Sequence, residues 1–239
     1  MEPYDYLIRV LDTFIEVTDG AIPIRRIQNL LIVQKATHFG SGISASEVSR
    51  LTGSPLENVR RQLGRQKARG LLETHADPTD DRVTLFRTTA AGEREWQTTI
   101  LAQRLHAIGP LRDGKPGAPH PLSPQTYDAL IAILQAFADA FEGGMRIRGF
   151  KTAMLIQLAT LSGSGVTASE LSRRTSAALE TVRRHMAKHI ALGDLRIVED
   201  PEDERANRVF SAHPERESAR FAAVAARLDA IDWNVFNIA

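Results

Sequence analysis

A mainly α-helical fold with short β-hairpins, built twice over in one chain, is what this sequence predicts. Three observations carry that prediction. Residues 4–108 align without a gap on residues 127–231, and about 38 of the 105 aligned pairs are identical. In the opening stretches of each copy, apolar residues recur at intervals of three and four, the period of a helix with one buried face. Each copy then carries a tight pair of helix-start signals, followed by a polar, Pro-containing turn between two short extended stretches. A period of about 123 residues is too long for a solenoid and fits a tandem of whole domains.

The elements follow in order. The first helix of each copy carries the stripe Leu7, Ile8, Leu11, Phe14, matched by Leu130, Ile131, Leu134, Phe137. The second carries Ile24, Ile27, Leu31 and Gln34, mirrored by Ile147, Phe150, Met154 and Gln157, and stops at Gly40-Ser41-Gly42 or Gly163-Ser164-Gly165. Ser44-Ala45-Ser46-Glu47 and Thr167-Ala168-Ser169-Glu170 have the spacing of a capping box, hydroxyl first and Glu three residues on. That short helix ends near Leu51-Thr52-Gly53, and Ser54-Pro55-Leu56-Glu57 reads as a second capping box with Pro55 at the first helical position. Two helices joined so tightly form a helix-turn-helix.

The helix from about residue 55 to 69 carries Arg60, Arg61, Arg65, Lys67 and Arg69 against one acid, Glu57. Its counterpart from about residue 178 carries Arg183, Arg184 and Lys188, with His185 and His189 among them. Beyond Gly70 or Gly193 the pattern turns extended over residues 71–76 and 83–87, around the turn Asp77-Pro78-Thr79-Asp80-Asp81-Arg82, which predicts a β-hairpin. A last helix, about residues 90–108 and 214–231, closes each copy. Residues 1–108 therefore form a first domain, 109–123 a linker dense in Gly and Pro, and 124–239 a second domain. Thirteen linker residues, 109–121, reach at most ~45 Å, enough for the copies to meet face to face.

Composition narrows the function. The chain has 239 residues, 43% hydrophobic, enough for two modest cores. No cysteine is present, which excludes a disulfide framework, a thiolate zinc site and a thiol redox switch. No apolar run reaches the ~18 residues of a membrane span and the start of the chain lacks signal-peptide character, so a cytoplasmic location is expected. A net charge of +1 gives no bulk attraction for anions. Any nucleic-acid site must come from local concentration of Arg and Lys. Ser, His and acids fall in helix starts and polar turns, and no Gly-rich loop follows a strand, so no enzyme, cofactor or metal is expected.

The residues resemble the multiple-antibiotic-resistance regulator (MarR) family. Ser46-Glu47-Val48-Ser49-Arg50-Leu51-Thr52-Gly53 looks like its first motif helix. Val59-Arg60-Arg61-Gln62-Leu63 and Lys67-Ala68-Arg69-Gly70-Leu71-Leu72 look like its recognition helix entering the wing. Asp77-Pro78-Thr79-Asp80-Asp81-Arg82, Leu85 and Thr89-Ala90-Ala91-Gly92 match the wing and its exit. The second copy keeps Asp200-Pro201-Glu202-Asp203-Glu204-Arg205 but has Glu215 where the first has Gly92. The resemblance implies a tandem of winged helix-turn-helix domains. The family works as a homodimer on duplex DNA, often released by a small aromatic acid bound between its dimerisation and DNA-binding parts. Here the two copies are expected to pair inside one chain as an intramolecular pseudo-dimer, a monomer acting as a dimer.

Expected DNA-binding residues are Ser54, Glu57, Asn58, Arg60, Arg61, Arg65 and Arg82, and in the second copy Glu180, Thr181, Arg183, Arg184, His185, Lys188 and Arg205. The alternative for the helical cations is a solvated charged face. For Arg82 and Arg205 it is a local pair with Asp80 or Asp203, against insertion into a narrow minor groove. Five acids in the second wing oppose phosphate contact there. His185 and His189 have a spacing that suits zinc, but without a third ligand phosphate or base contact is the better reading. Tyr6, Phe14, His38, Phe39 and Trp96 are candidates for an effector pocket, against the usual role of aromatics as core. Asn58, Gln62 and Arg65 are matched by Thr181, His185 and Lys188, which predicts unequal half-sites ~10 base pairs apart in an imperfect palindrome. The reading is a transcription regulator, most simply a repressor. Its rivals are a tandem winged-helix scaffold that grips protein partners, favoured by the acidic second wing, and a plasmid replication initiator of paired winged helices.

Overall fold

A computed structural model describes residues 3–18, 20, 22–96, 101, 123–141, 145–199 and 207–236. Its described residues are mainly helical, with two small antiparallel sheets. The first copy runs α1 (Pro3–Thr18), α2 (Ile24–Phe39), β1 (Ile43–Ser44), α3 (Ala45–Thr52), α4 (Leu56–Ala68), β2 (Leu72–Ala76), β3 (Thr84–Thr88) and α5 (Ala90–Trp96). The second runs α6 (Pro124–Ala140), α7 (Ile147–Leu161), α8 (Ala168–Thr175), α9 (Leu179–Ala191), β4 (Leu195–Glu199), β5 (Asn207–Ser211), α10 (Pro214–Asp229) and a 3-10 turn (Trp233–Phe236). The predicted linker, the later part of the first closing helix and Arg205 lie outside the described residues, apart from Leu101 and Ser123.

The gapless repeat extends into the strand registers. Leu72 pairs with Thr88 and Leu195 with Ser211, both members moved by the same shift along the chain. Ile43 pairs with Phe86 in the first copy, and Val166 bridges Val209 in the second. Two local cores use repeat-equivalent positions: Ile32, Val33, Val48, Val59 and Leu63 in one, Leu155, Ile156, Leu171, Val182 and Met186 in the other.

A third core belongs to both copies at once. Leu7, Leu11 and Phe14 from α1 are buried in it with Leu130, Leu134 and Phe137 from α6 and Phe221, Val224 and Leu228 from α10. The packing is reciprocal: α1 lies on α7 of the other copy, and α6 lies on α2. Pro23 forms an antiparallel bridge with Arg146, its own repeat counterpart, as an approximate two-fold axis requires. Each of these side chains contributes roughly 1.5–3 kcal/mol by leaving water, so the shared core is a large part of what holds the chain together.

One pair of equivalent positions has two chemistries. Gln28 donates from Nε2 to Gln135 Oε1 at 2.6 Å where α2 meets α6. At the matching place between α7 and α1, Lys151 donates from Nζ to Asp12 Oδ1. Lys151 is buried, and an ammonium there needs its carboxylate.

The helix starts differ in part from expectation. In α8, Thr167 and Glu170 complete a capping box. In α3, Ser44 Oγ accepts from the Glu47 amide at 3.2 Å, but the Glu47 carboxylate pairs with Arg50 instead. At α4 the second capping box does not form. Pro55 itself is the cap, and Ser54 contributes its carbonyl, which accepts from Ser49 Oγ at 2.7 Å. The turn before α4 is left-handed at Gly53, φ 66°, and the second copy places Ser176 in the same region at φ 52°. Gly92 fits where it does because a Cβ would lie 2.2 Å from the Leu71 carbonyl oxygen. The second copy begins its closing helix with Pro214, followed by an exposed Glu215 at the equivalent position.

Candidate nucleic-acid interface

The turn after α3 delivers α4 to the surface, and its burial pattern fixes which side faces out. Val59, Leu63 and Gln66 are buried, while Glu57, Asn58, Arg60, Arg61, Arg65 and Lys67 are exposed. Asn58 Oδ1 accepts from Arg61 Nη2 at 2.7 Å, which steadies the guanidinium without neutralising it. Among the described residues no acid forms an ion pair with Arg60, Arg61 or Arg65. Arg69 is different: it meets Glu95 at 2.9 Å and ties α4 to α5. In α9, Val182 and Met186 are buried, and Glu180, Thr181, Arg183, Arg184 and Lys188 are exposed, again with no ion pair to the three cations among the described residues.

Several expected contacts are placed otherwise. The Ser54 hydroxyl is buried, so it is not offered to a ligand at the surface. Gln62 is occupied within the fold: its Oε1 accepts from Asn29 Nδ2 at 2.8 Å and its Nε2 donates to the Arg26 carbonyl at 2.8 Å. His185 is half-buried against His189, ring centres 4.4 Å apart, and burial and the neighbouring His189 push its pKa down to about 4. At neutral pH it is therefore an uncharged imidazole, a poor phosphate ligand. His189 Nδ1 lies 3.0 Å from Asp194, whose other oxygen is 3.3 Å from Arg216. The Gln62 and His185 difference is thus a difference in packing, and of the three predicted half-site differences Asn58 against Thr181 and Arg65 against Lys188 are exposed.

On the first hairpin, Asp77 accepts from the Thr79 amide at 2.8 Å and from its hydroxyl, and these bonds hold the Asp77 carboxyl below its ordinary pKa. Arg82 forms the local pair with Asp80 at 3.2 Å and leaves 88% of its side chain in solvent.

Beside each of these helices lies a cleft made of repeat-equivalent residues. The first, about 710 Å3, is lined by Arg25, Arg26, Asn29, Arg61, Arg65 and Asp139 among others. The second, about 550 Å3, has Arg148, Gly149, Thr152 and Lys188 at the positions of Arg25, Arg26, Asn29 and Arg65. In the first, Arg25 is held by Asp139 at 3.1 Å and by Gln135. Arg26 has a buried Nε without a partner among the described residues, and burial, with Arg69 and Arg65 nearby, lowers its pKa. Asn29 is almost fully buried and its Oδ1 likewise has no partner there.

Of the aromatic candidates, His38 and Phe39 lie together, ring centres 6.2 Å apart, with Tyr127 beside both. Phe14 is spent in the shared core. Phe39 lies 48% exposed in a groove of about 520 Å3 with Ile43, Leu51 and Ile131. His38 sits between Tyr127 and Glu93, with burial pushing the Tyr127 phenol pKa up. Trp96 packs on the first local core, and the side chain of Tyr6 lies outside the described residues. Asn29 and Arg26 were missed by sequence reasoning, since neither belongs to a motif.

Among the described residues, no group of three His, Asp or Glu is placed to hold a metal, and no helix is long and apolar enough to cross a membrane. No protein-family model matches the chain, and no curated protein matches it significantly.

Proposed function

We propose that this chain is a sequence-specific, double-stranded-DNA-binding transcription regulator of the MarR kind, most simply a repressor. Its two copies act as winged helix-turn-helix domains in an intramolecular pseudo-dimer, with α4 and α9 entering successive major grooves. One observation carries the reading: two exposed helices, each delivered by a tight turn and related by reciprocal packing, hold cations unpaired with acid among the described residues. Arg60, Arg61, Arg183 and Arg184 supply base and phosphate contacts, and Arg82 reaches for the minor groove. Because Asn58 and Arg65 are answered by Thr181 and Lys188, the half-sites, ~10 base pairs apart, form an imperfect palindrome.

The cleft beside α4 supports release by a small acidic effector. An anion held by Arg26, Arg61 and Arg65 draws two of the DNA-facing cations away from phosphate. The test of the reading is the double change Arg60→Ala with Arg61→Ala. Both side chains are exposed, so folding should be unaffected, while affinity for selected DNA should fall at least tenfold, each good base pairing carrying about 1–3 kcal/mol. Unchanged affinity would remove α4 from the DNA.

A further inference from the structure

A duplicated chain carries its own comparison, and in one region four polar residues of the first copy are replaced by branched aliphatic ones in the second. In the first copy these are Lys67, Arg69, Thr74 and His75, and all are used in polar contacts. Lys67 Nζ donates to Thr74 Oγ1 at 2.7 Å, Arg69 meets Glu95 at 2.9 Å, and His75 lies 3.1 Å from Glu73. The second copy has Ile190, Leu192, Ile197 and Val198 instead. Ile190 is partly buried against the local core, but Leu192, Ile197 and Val198 are 63%, 49% and 40% exposed. Aliphatic side chains about half in water forgo a corresponding part of the roughly 1.5–3 kcal/mol that full burial gives.

Ile197 and Val198 lie on β4, which among the described residues pairs with β5 alone. An open strand edge bearing β-branched residues is the arrangement to which a further strand adds. Successive residues point to opposite faces, so an added strand is gripped on both. The ends of this stretch carry opposite charges: Arg196, over the Phe210 ring at 4.7 Å, and Glu199, both exposed. Residues directly opposite in an antiparallel pair share a face, and opposite charges there stabilise it.

We infer that β4 is the docking edge for an extended segment of a partner protein, which adds antiparallel to it and reads, from N to C, basic, β-branched, β-branched, acidic. Those residues meet Glu199, Val198, Ile197 and Arg196 in turn. A second copy of this chain is a poor occupant. Two β4 strands related by a two-fold axis must set Ile197 or Val198 against itself, which places Arg196 against Val198 or Glu199 against Ile197, so in neither register do Arg196 and Glu199 face each other. The surface is independent of the DNA reading and needs no DNA present.

The probes are two short fluorescein-labelled peptides of one composition, centred on Lys-Val-Ile-Glu and on Glu-Val-Ile-Lys, each titrated with the full chain. The first should bind about tenfold more tightly and slow amide exchange over residues 196–199. Ile197→Thr with Val198→His, the residues of the first copy, should lose that binding without moving the thermal midpoint. Glu199→Lys, a milder change, should abolish the preference between peptides. Equal affinity for both peptides, no binding of either, or binding indifferent to these changes would overturn the inference. So would concentration-dependent self-association that the double change removes, because it would assign the edge to a second copy.

Discussion

His185 shows how one side chain couples the second copy to pH. Its pKa is lowered from 6.5 to about 4, first by burial and then by His189 and Lys188, so between those values the unfolded chain binds a proton that the folded chain refuses. The stabilisation is fully present above pH 6.5 and is lost as pH falls towards 4. With the ring partly in solvent, the discounted loss is roughly 1–2 kcal/mol. His185→Gln, the residue type of the first copy, should flatten the thermal midpoint across this window. A profile as steep as the wild type would place the pH dependence elsewhere. The pairing of Lys151 with Asp12 works at the same scale. Asp12→Asn leaves a buried ammonium without its carboxylate and should cost about 1–2 kcal/mol by denaturant titration, less than a fully enclosed pair because Asp12 is partly exposed. Gln135→Asn at the matching place, where no charge is stranded, should cost less.

At the scale of elements, the turn before α9 carries a strain that the turn before α4 avoids. Ser176 occupies the left-handed region that Gly53 fills in the first copy, so Ser176→Gly should stabilise by about 0.5–1 kcal/mol, measured as a raised denaturation midpoint. No gain would mean that a contact of the serine offsets its backbone. Much at this scale was legible beforehand. Helices, hairpins and their order follow from periodicity, Gly and Pro, and the basic face of α4 from Arg spacing. Less visible was what depends on neighbours distant in sequence. Ser54 has the spacing of a cap, yet Pro55 takes the cap position and the Ser54 hydroxyl is buried. Gln62 lies among the exposed arginines in sequence, but Asn29 and the Arg26 carbonyl, on another helix, engage it. His185 falls between two cations and is still half-buried. Asn29 and Arg26 belong to no motif, and only the approach of α2 to α4 makes them part of a cleft.

For the whole molecule, the reciprocal packing of α1 on α7 and α6 on α2 makes each copy's opening helix part of the other's support. A fragment of residues 1–108 or 124–239 loses the part of the shared core that the other copy supplies and should be unfolded or self-associated by circular dichroism and sedimentation. A cooperative monomeric fold of either fragment would count against that dependence. The two unlike buried pairs, amide with amide and ammonium with carboxylate, favour pairing of unlike copies: like with like would set Lys151 against Gln135 and leave its charge uncompensated. Covalent linkage then allows α4 and α9 to diverge while their spacing is kept, which a homodimer does not permit. DNA binding by the paired copies is measured most directly by selection of duplex DNA from a random pool by the full chain, followed by anisotropy titration of the selected site across salt concentrations. An imperfect palindrome with half-sites ~10 base pairs apart, bound by one chain, is expected, with log affinity falling linearly in log salt and reduced at least tenfold by loss of Arg60 and Arg61. A pool that yields no preferred sequence, or binding indifferent to salt, would contradict this reading.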